Sequence, residues 1–259
     1  MRIRLIVEYD GTNYVGWQRQ KDFLSVQEAM EKAFEEAVGE RVVIHGSGRT
    51  DAGVHAEALV AHFDTQCPVP PDKISYMFNM YLPPDIRVRH SEQADNEFHA
   101  RFDAKGKTYR YTIYNAKHAS AIWRNMVAFV RGSLDIESMK AAAARLCGTH
   151  DFKPFSANGT EVKDTVRTIF RVEITSAMPF IWIDVTGSGF LNHMVRIIAG
   201  TLIQVGIGKR APDCIDAILA KREPAGATAP AKGLTLKKVY YAPEEPQGGL
   251  NEKRQQSGE

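Results

Sequence analysis

Apolar residues occupy every second position in Ile3, Leu5, Val7 and Tyr9, the period of a strand with one buried face, and Asp10-Gly11-Thr12-Asn13 then supplies turn residues. Ser25 followed by Glu28 has the capping-box spacing that opens a helix. From there Val26, Ala29, Met30, Ala33, Phe34, Ala37 and Val38 recur at helical spacing up to Gly39, which predicts a helix with one face in the core. A short strand over 42–44 and a longer one over 54–63 should flank the segment between them. The pattern next predicts a helix over 72–81 and strands over 86–90 and 107–114. It continues with a helix over 135–147 that stops at Gly148, and with strands over 167–174 and 180–185. A helix over 191–205 capped by Gly206, a short helix over 212–219 and a strand over 234–241 complete the series. Residues 225–232 are small and rich in Ala and Pro, the composition of a loop.

Strands with packed helices recur in the second half, so the pattern predicts an α+β protein built on antiparallel sheet, with a central cleft between two halves. The expected boundary lies near residue 105. That gives an N-terminal α+β domain over 1–105 and a C-terminal α+β domain over 106–242. Beyond Pro243 only Leu250 is a large apolar residue, and 243–259 should form a disordered tail.

Composition narrows the class. The 259 residues are 44% hydrophobic, enough for one large core or two small ones. No apolar run reaches the roughly 18 residues of a membrane span, and Met1-Arg2-Ile3-Arg4 lacks the apolar stretch of a signal peptide, so a soluble, cytoplasmic protein is expected. Cys67, Cys147 and Cys214 form no CxxC pair, which suggests buried, reduced thiols in place of a disulfide framework or zinc site.

Net charge is only +2, yet the charge is unevenly spread. From Phe98 to Arg131 seven basic residues (Arg101, Lys105, Lys107, Arg110, Lys117, Arg124 and Arg131) face a single acid, Asp103. Aromatics are interleaved among them, including Phe102, Tyr109, Tyr111 and Trp123. Basic groups neutralise phosphates and aromatic faces stack on unpaired bases, so the segment is compatible with RNA. A solvated strand face backed by an aromatic core face would give the same pattern.

The chemistry concentrates in Gly48-Arg49-Thr50-Asp51-Ala52-Gly53-Val54-His55-Ala56. Gly48 and Gly53 let the backbone turn and approach a ligand, and Arg49 can hold Asp51 ionised as a nucleophile or base. An ordinary surface ion pair is the plain alternative. Arg196 lies among Met194, Val195, Ile198, Leu202 and Val205, where a guanidinium is costly to bury without a carboxylate. Asp51 is its natural candidate partner. His55, His62, His99 and His193 show no HxH or HExxH spacing and read as structural. Two other classes fit parts of the chain. A metal-dependent phosphoesterase would need Asp51, His55 and His62 to converge, and a noncatalytic RNA-binding module would leave Asp51, Arg49 and Arg196 without purpose.

Taken together, several motifs carry a resemblance. They are Asp10-Gly11 with Tyr14, Gly16-Trp17-Gln18-Arg19-Gln20, Ser25-Val26-Gln27, the 48–56 run, Phe98-His99-Ala100-Arg101, Lys107-Thr108-Tyr109-Arg110-Tyr111 and 189–196. In this order the chain resembles the tRNA pseudouridine synthase A family over roughly residues 3–242. The resemblance implies two ferredoxin-like halves whose sheets join into one. It also implies isomerisation of uridine to pseudouridine at positions 38, 39 and 40 of the tRNA anticodon stem-loop, without metal or organic cofactor. By the same resemblance the enzyme is a homodimer with tRNA spanning both subunits. Asp51 matches the catalytic aspartate and Tyr109 the tyrosine packed on the target base. Arg49 matches the arginine that places the nucleotide, and Arg196 the arginine that pairs with the catalytic carboxylate. The chemistry is self-consistent: the N1 bond to the ribose breaks, uracil rotates and C5 bonds in its place, so one ionised carboxylate suffices, by attack on the sugar or by removal of a ribose proton. The base must first leave its stack for a pocket.

Overall fold

The computed structural model describes residues 1–157 and 164–242; the tail expected over 243–259 lies outside the described residues. The strand β1 (Arg2–Tyr9) buries Ile3, Leu5, Val7 and Tyr9 as the alternation requires. Helix α1 (Val26–Val38) starts where Ser25 accepts a hydrogen bond from the Glu28 backbone and ends at Gly39 in the left-handed region. Its Met30 and Phe34 are fully buried, and Phe34 meets Phe63 edge-on at 5.0 Å between ring centres. The rest of the first half comprises β2 (His45–Gly46), β3 (His55–Asp64), α2 (Ile74–Tyr81) and β4 (Ile86–Gln93).

The second half follows with β5 (Gly106–Asn115), β6 (Ala128–Val130), α3 (Ile136–Ala144), β7 (Gly148–Asp151), β8 (Val166–Ala177) and β9 (Phe180–Gly187). Helices α4 (Met194–Gly206) and α5 (Cys214–Leu219) and the strand β10 (Leu234–Tyr240) complete it. Among the described residues the strands form one sheet in the order β4-β1-β3-β10-β5-β9-β8-β7, with β2 added on β3 and β6 on β5. This is a mixed α/β arrangement of one sheet with packed helices. The seam between the halves is narrow. It consists of Thr235 opposite His55 and Leu236 opposite Ala56, and β3 begins there directly after the Asp51 segment.

Several expectations need correction. The sheet is not antiparallel throughout, because β10 runs parallel to β3 and β6 parallel to β5. Alternation reports which face is buried and says nothing about strand direction. The strand expected over 42–44 forms instead at His45–Gly46, since the Ile44 backbone N–H is taken by Glu31 Oε1 at 3.0 Å and Val43 faces solvent. The helix expected over 135–147 ends at Ala144, and the one expected over 191–205 begins only at Met194. Gly206 is the last helical residue and not the cap, a left-handed position that Gly208 takes at φ +74°. A Cβ on Gly206 would lie 2.7 Å from Met139 Sδ, so packing accounts for that glycine. Of the three thiols, Cys67 and Cys214 are buried, while Cys147 is exposed at the end of the α3 turn. No described helix is long and apolar enough to cross a membrane.

Candidate active site

Asp51 sits on a loop held by its neighbours. Gly16, at φ +102°, lies against the loop so closely that a Cβ would come within 2.1 Å of the Thr50 carbonyl oxygen. The Trp17 backbone donates to that oxygen at 3.3 Å, Gly53 donates to the Tyr14 carbonyl at 3.2 Å, and the hydroxyls of Tyr9 and Thr50 are 2.8 Å apart. The motif residues near positions 10–17 thus brace the Asp51 segment, and Gly53 closes it at φ +75°. Val54 then donates back to the Asp51 carbonyl at 3.1 Å as the chain enters β3.

Helix α4 brings the counter-charge. Arg196 Nη1 donates to Asp51 Oδ2 at 3.2 Å while its Nε donates to the Ala229 carbonyl at 2.9 Å. The Ala229 backbone N–H returns a bond to the Arg196 carbonyl at 3.1 Å, so the Ala/Pro-rich loop expected over 225–232 braces the guanidinium from behind. The Arg196 side chain is 15% exposed against 26% for Asp51, so the pair is shielded but the carboxylate remains reachable. His193, left-handed at the start of α4, points Nε2 toward the same oxygen at 3.5 Å. This corrects the structural role expected of His193, for which its position one turn before Arg196 is a usable sequence signal.

A cavity of about 1220 Å³ opens in front of Asp51, lined also by Arg49, Tyr109, Lys107, Arg101, Phe190 and His193. Tyr109 on β5 is 8% exposed and meets Phe190 edge-on at 5.2 Å. Burial, and secondly the Asp51 carboxylate, push its phenol well above the ordinary tyrosine range, which keeps it protonated. Arg49 is exposed on the cavity wall and makes no ion pair with Asp51. The expected local pair is therefore replaced by the distant one. Proposed site residues Asp51, Tyr109 and Arg49 share one cavity, and Arg196 supports the first of them.

The remaining histidines are engaged elsewhere. His55 accepts from the Gly11 backbone N–H at Nδ1 (3.0 Å) and has Nε2 beside the Asn125 and Lys232 carbonyls, at 2.9 and 3.2 Å, the pattern of a ring with its proton on Nε2. His62 accepts from the Ala100 backbone N–H at 3.2 Å, stacks on His45 and meets His99 edge-on. Asp51, His55 and His62 do not converge, and the described residues hold no group of three His, Cys, Asp or Glu able to bind a metal ion.

A carboxylate backed by a guanidinium, beside a pocket with one aromatic wall, fits the class of enzymes that act on an extruded base or sugar. Residues 5–103 and 142–242 match the tRNA pseudouridine synthase family, and the chain belongs to it. It is 51% identical over 243 residues to tRNA pseudouridine synthase A of Ruminiclostridium cellulolyticum, covering 93% of this chain and 99% of that one. Similar proteins of the same name occur in Acetivibrio thermocellus, at 48% identity over 92% of this chain and 99% of the other, and in Syntrophotalea carbinolica, at 47% over 94% and 97%.

Proposed function

We propose that the protein isomerises uridine to pseudouridine at positions 38, 39 and 40 of the tRNA anticodon stem-loop, with Asp51 as the reacting carboxylate. The observation that carries this reading is the 3.2 Å pair between Asp51 and Arg196 at the wall of a cavity that also holds the Tyr109 ring. A guanidinium favours the charged carboxylate, the form required for attack on the sugar carbon or for removal of a ribose proton. Tyr109 offers a stacking surface for the extruded uracil, held upright by Phe190. Arg49, exposed and without a carboxylate partner among the described residues, meets a phosphate of the target nucleotide or fills the space the base leaves.

The same reading extends to architecture. Strand orders β4-β1-β3-β2 and β10-β5-β9-β8 repeat one topology, which supports two ferredoxin-like halves joined through β3 and β10. Two matched segments, one on each side of residue 105, support domains over 1–105 and 106–242, with the cavity as the central active-site cleft. The motif resemblance further supports a cytoplasmic homodimer, free of membrane, in which tRNA spans both subunits. Sedimentation of the purified chain with and without tRNA tests that assembly.

The activity is tested by mapping pseudouridine on tRNA incubated with the purified protein without added metal. The expected result is modification confined to the anticodon stem-loop, lost in Asp51→Ala with tRNA binding largely retained. Undiminished pseudouridine in that variant would sink the assignment.

A further inference from the structure

Lys107 lines the same cavity as Asp51 and Tyr109 and has no part in the chemistry above. Strand β5 places it two positions before Tyr109, so both side chains leave the same face, roughly 7 Å apart along the strand. Its Nζ donates to the Ser47 carbonyl at 2.7 Å. An ammonium has three donors, so two N–H groups have no protein acceptor among the described residues. Gly48 supplies a second observation. Its φ is not in the left-handed region, so turn geometry does not require a glycine there, yet a Cβ would lie 3.0 Å from Lys107 Nζ. The missing side chain makes room for the ammonium.

Depth separates this cation from its neighbours. Arg49 and Arg101 are exposed, whereas Lys107 is only partly accessible. An extruded nucleotide enters base first, and its phosphates stay at the mouth with the main chain of the RNA. Exposed guanidinia therefore suit the phosphates, and the deeper ammonium suits the edge of the base. We propose that Lys107 Nζ donates a hydrogen bond to a carbonyl oxygen of the target uracil and there stabilises the negative charge the base carries once it has left the sugar.

This inference rests on the pseudouridine reading. When the N1–C1′ bond breaks, its electron pair departs with uracil, whether Asp51 attacks C1′ or removes a ribose proton. The charge then spreads over N1 and the carbonyl oxygens. Lys107 shares its proton with one of those oxygens and does not give it up. After rotation the C5 electrons form the C5–C1′ bond, releasing the Asp51 ester in the first route or recovering the ribose proton in the second. The hydrogen on C5 leaves as a proton and N1 takes one up. Atoms and charge balance without a co-reactant. Burial, and secondly the Arg101 guanidinium, push the Lys107 ammonium down to about 8, so its charge is lost within an accessible range of pH. The charged or titratable groups sharing the cavity are Arg19, Arg49, Asp51, Arg101, Tyr109 and His193, and the adjacent strand residues Gly187 and Val239 are neutral.

The test compares wild type, Lys107→Met and Lys107→Arg on full-length tRNA, by single-turnover rate between pH 6.5 and 9.5 and by tRNA dissociation constant. Lys107→Met should lower the rate about 10- to 100-fold with little change in tRNA affinity. Wild type should lose rate above about pH 8, and Lys107→Arg, which stays cationic, should recover part of the rate and carry the decline to higher pH. A wild-type rate in Lys107→Met, a loss confined to tRNA affinity, or an unmoved decline in Lys107→Arg would each overturn the role of Lys107 alone. A wild-type protein that forms no pseudouridine would overturn the activity itself, and this inference with it.

Discussion

Asp51 and Arg196 are 145 positions apart in the chain and 3.2 Å apart in the fold. The first lies on the loop that runs into β3, and the second on the helix that leads toward β10. Those two strands pair along the short seam, so the contact between Asp51 and Arg196 bridges the same two parts of the chain that the seam joins.

Removal of the guanidinium should therefore cost more in rate than in fold. The Asp51 carboxylate is partly exposed and stays hydrated in Arg196→Ala, but it loses the hydrogen bond that orients it. The expected single-turnover rate is about 10- to 100-fold lower, with the thermal midpoint changed by only a few degrees. Arg196→Lys should rescue little, because one ammonium does not reproduce the fork that bonds Asp51 and the Ala229 carbonyl together. A rate equal to wild type in either variant would remove Arg196 from the site.

Two glycines with similar backbone angles should respond differently to alanine. Gly39 at φ +73° faces open space, so Gly39→Ala costs only the left-handed strain, about 1–2 kcal/mol. Gly16 at φ +102° adds the 2.1 Å collision with the Thr50 carbonyl oxygen. Gly16→Ala should lose more stability than Gly39→Ala in urea unfolding, and should also lose activity, since the collision displaces the Asp51 loop. Equal losses would show that the loop yields without cost.

What the sequence reveals about this molecule follows from what side-chain patterns record. The β1 and α1 patterns are legible because each element buries one face and exposes the other. Strands β6 and β7 escape notice, since Gly-Thr-His-Asp in β7 has no apolar alternation and pairs along one edge only. Apolar Val42 and Ile44 mimic a strand that the Glu31 carboxylate pre-empts by taking the Ile44 N–H. Within the site, Asp51 is visible from its glycine-flanked loop and Arg196 from the cost of a guanidinium among apolar neighbours. The pairing of Asp51 with Arg49 was not legible as wrong, because adjacency in sequence says nothing of the direction in which either side chain points. Phe190 was hidden for the same reason: its place on the cavity wall depends on where α4 begins.

A pH effect on stability should come from His62. Burial, and then the neighbouring His99 and His45 rings, push its imidazole down to about 4, whereas in the unfolded chain it titrates near 6.5. The unfolded chain thus binds the extra proton first. Stability is fully present above pH 6.5 and falls as the pH drops from 6.5 toward 4, by on the order of 1 kcal/mol by pH 5 once partial screening is allowed for. His62→Asn, whose Oδ1 can still accept from the Ala100 N–H, should flatten that slope in urea titrations at pH 7 and pH 5. An unchanged slope would assign it to other groups.

The ring of Tyr109 and its hydroxyl should separate cleanly. The ring is fixed edge-on against Phe190 beside Asp51, whereas the hydroxyl has no hydrogen-bond partner among the described residues. If the ring is the surface on which uracil rests, Tyr109→Phe keeps that surface, and Tyr109→Ala loses stacking worth about 1–3 kcal/mol per base. Loss of that size is about 5- to 150-fold in the single-turnover rate, since stacking counts only after the base has left the helix. Affinity for tRNA, set mainly by contacts to phosphates, should change much less. Because burial and the Asp51 charge hold the phenol protonated well above the ordinary range, Tyr109→Phe should also leave the shape of the pH–rate profile unaltered. A large rate loss in Tyr109→Phe would assign the chemistry to the hydroxyl instead, and a small one in Tyr109→Ala would mean that the base rests on another wall of the cavity.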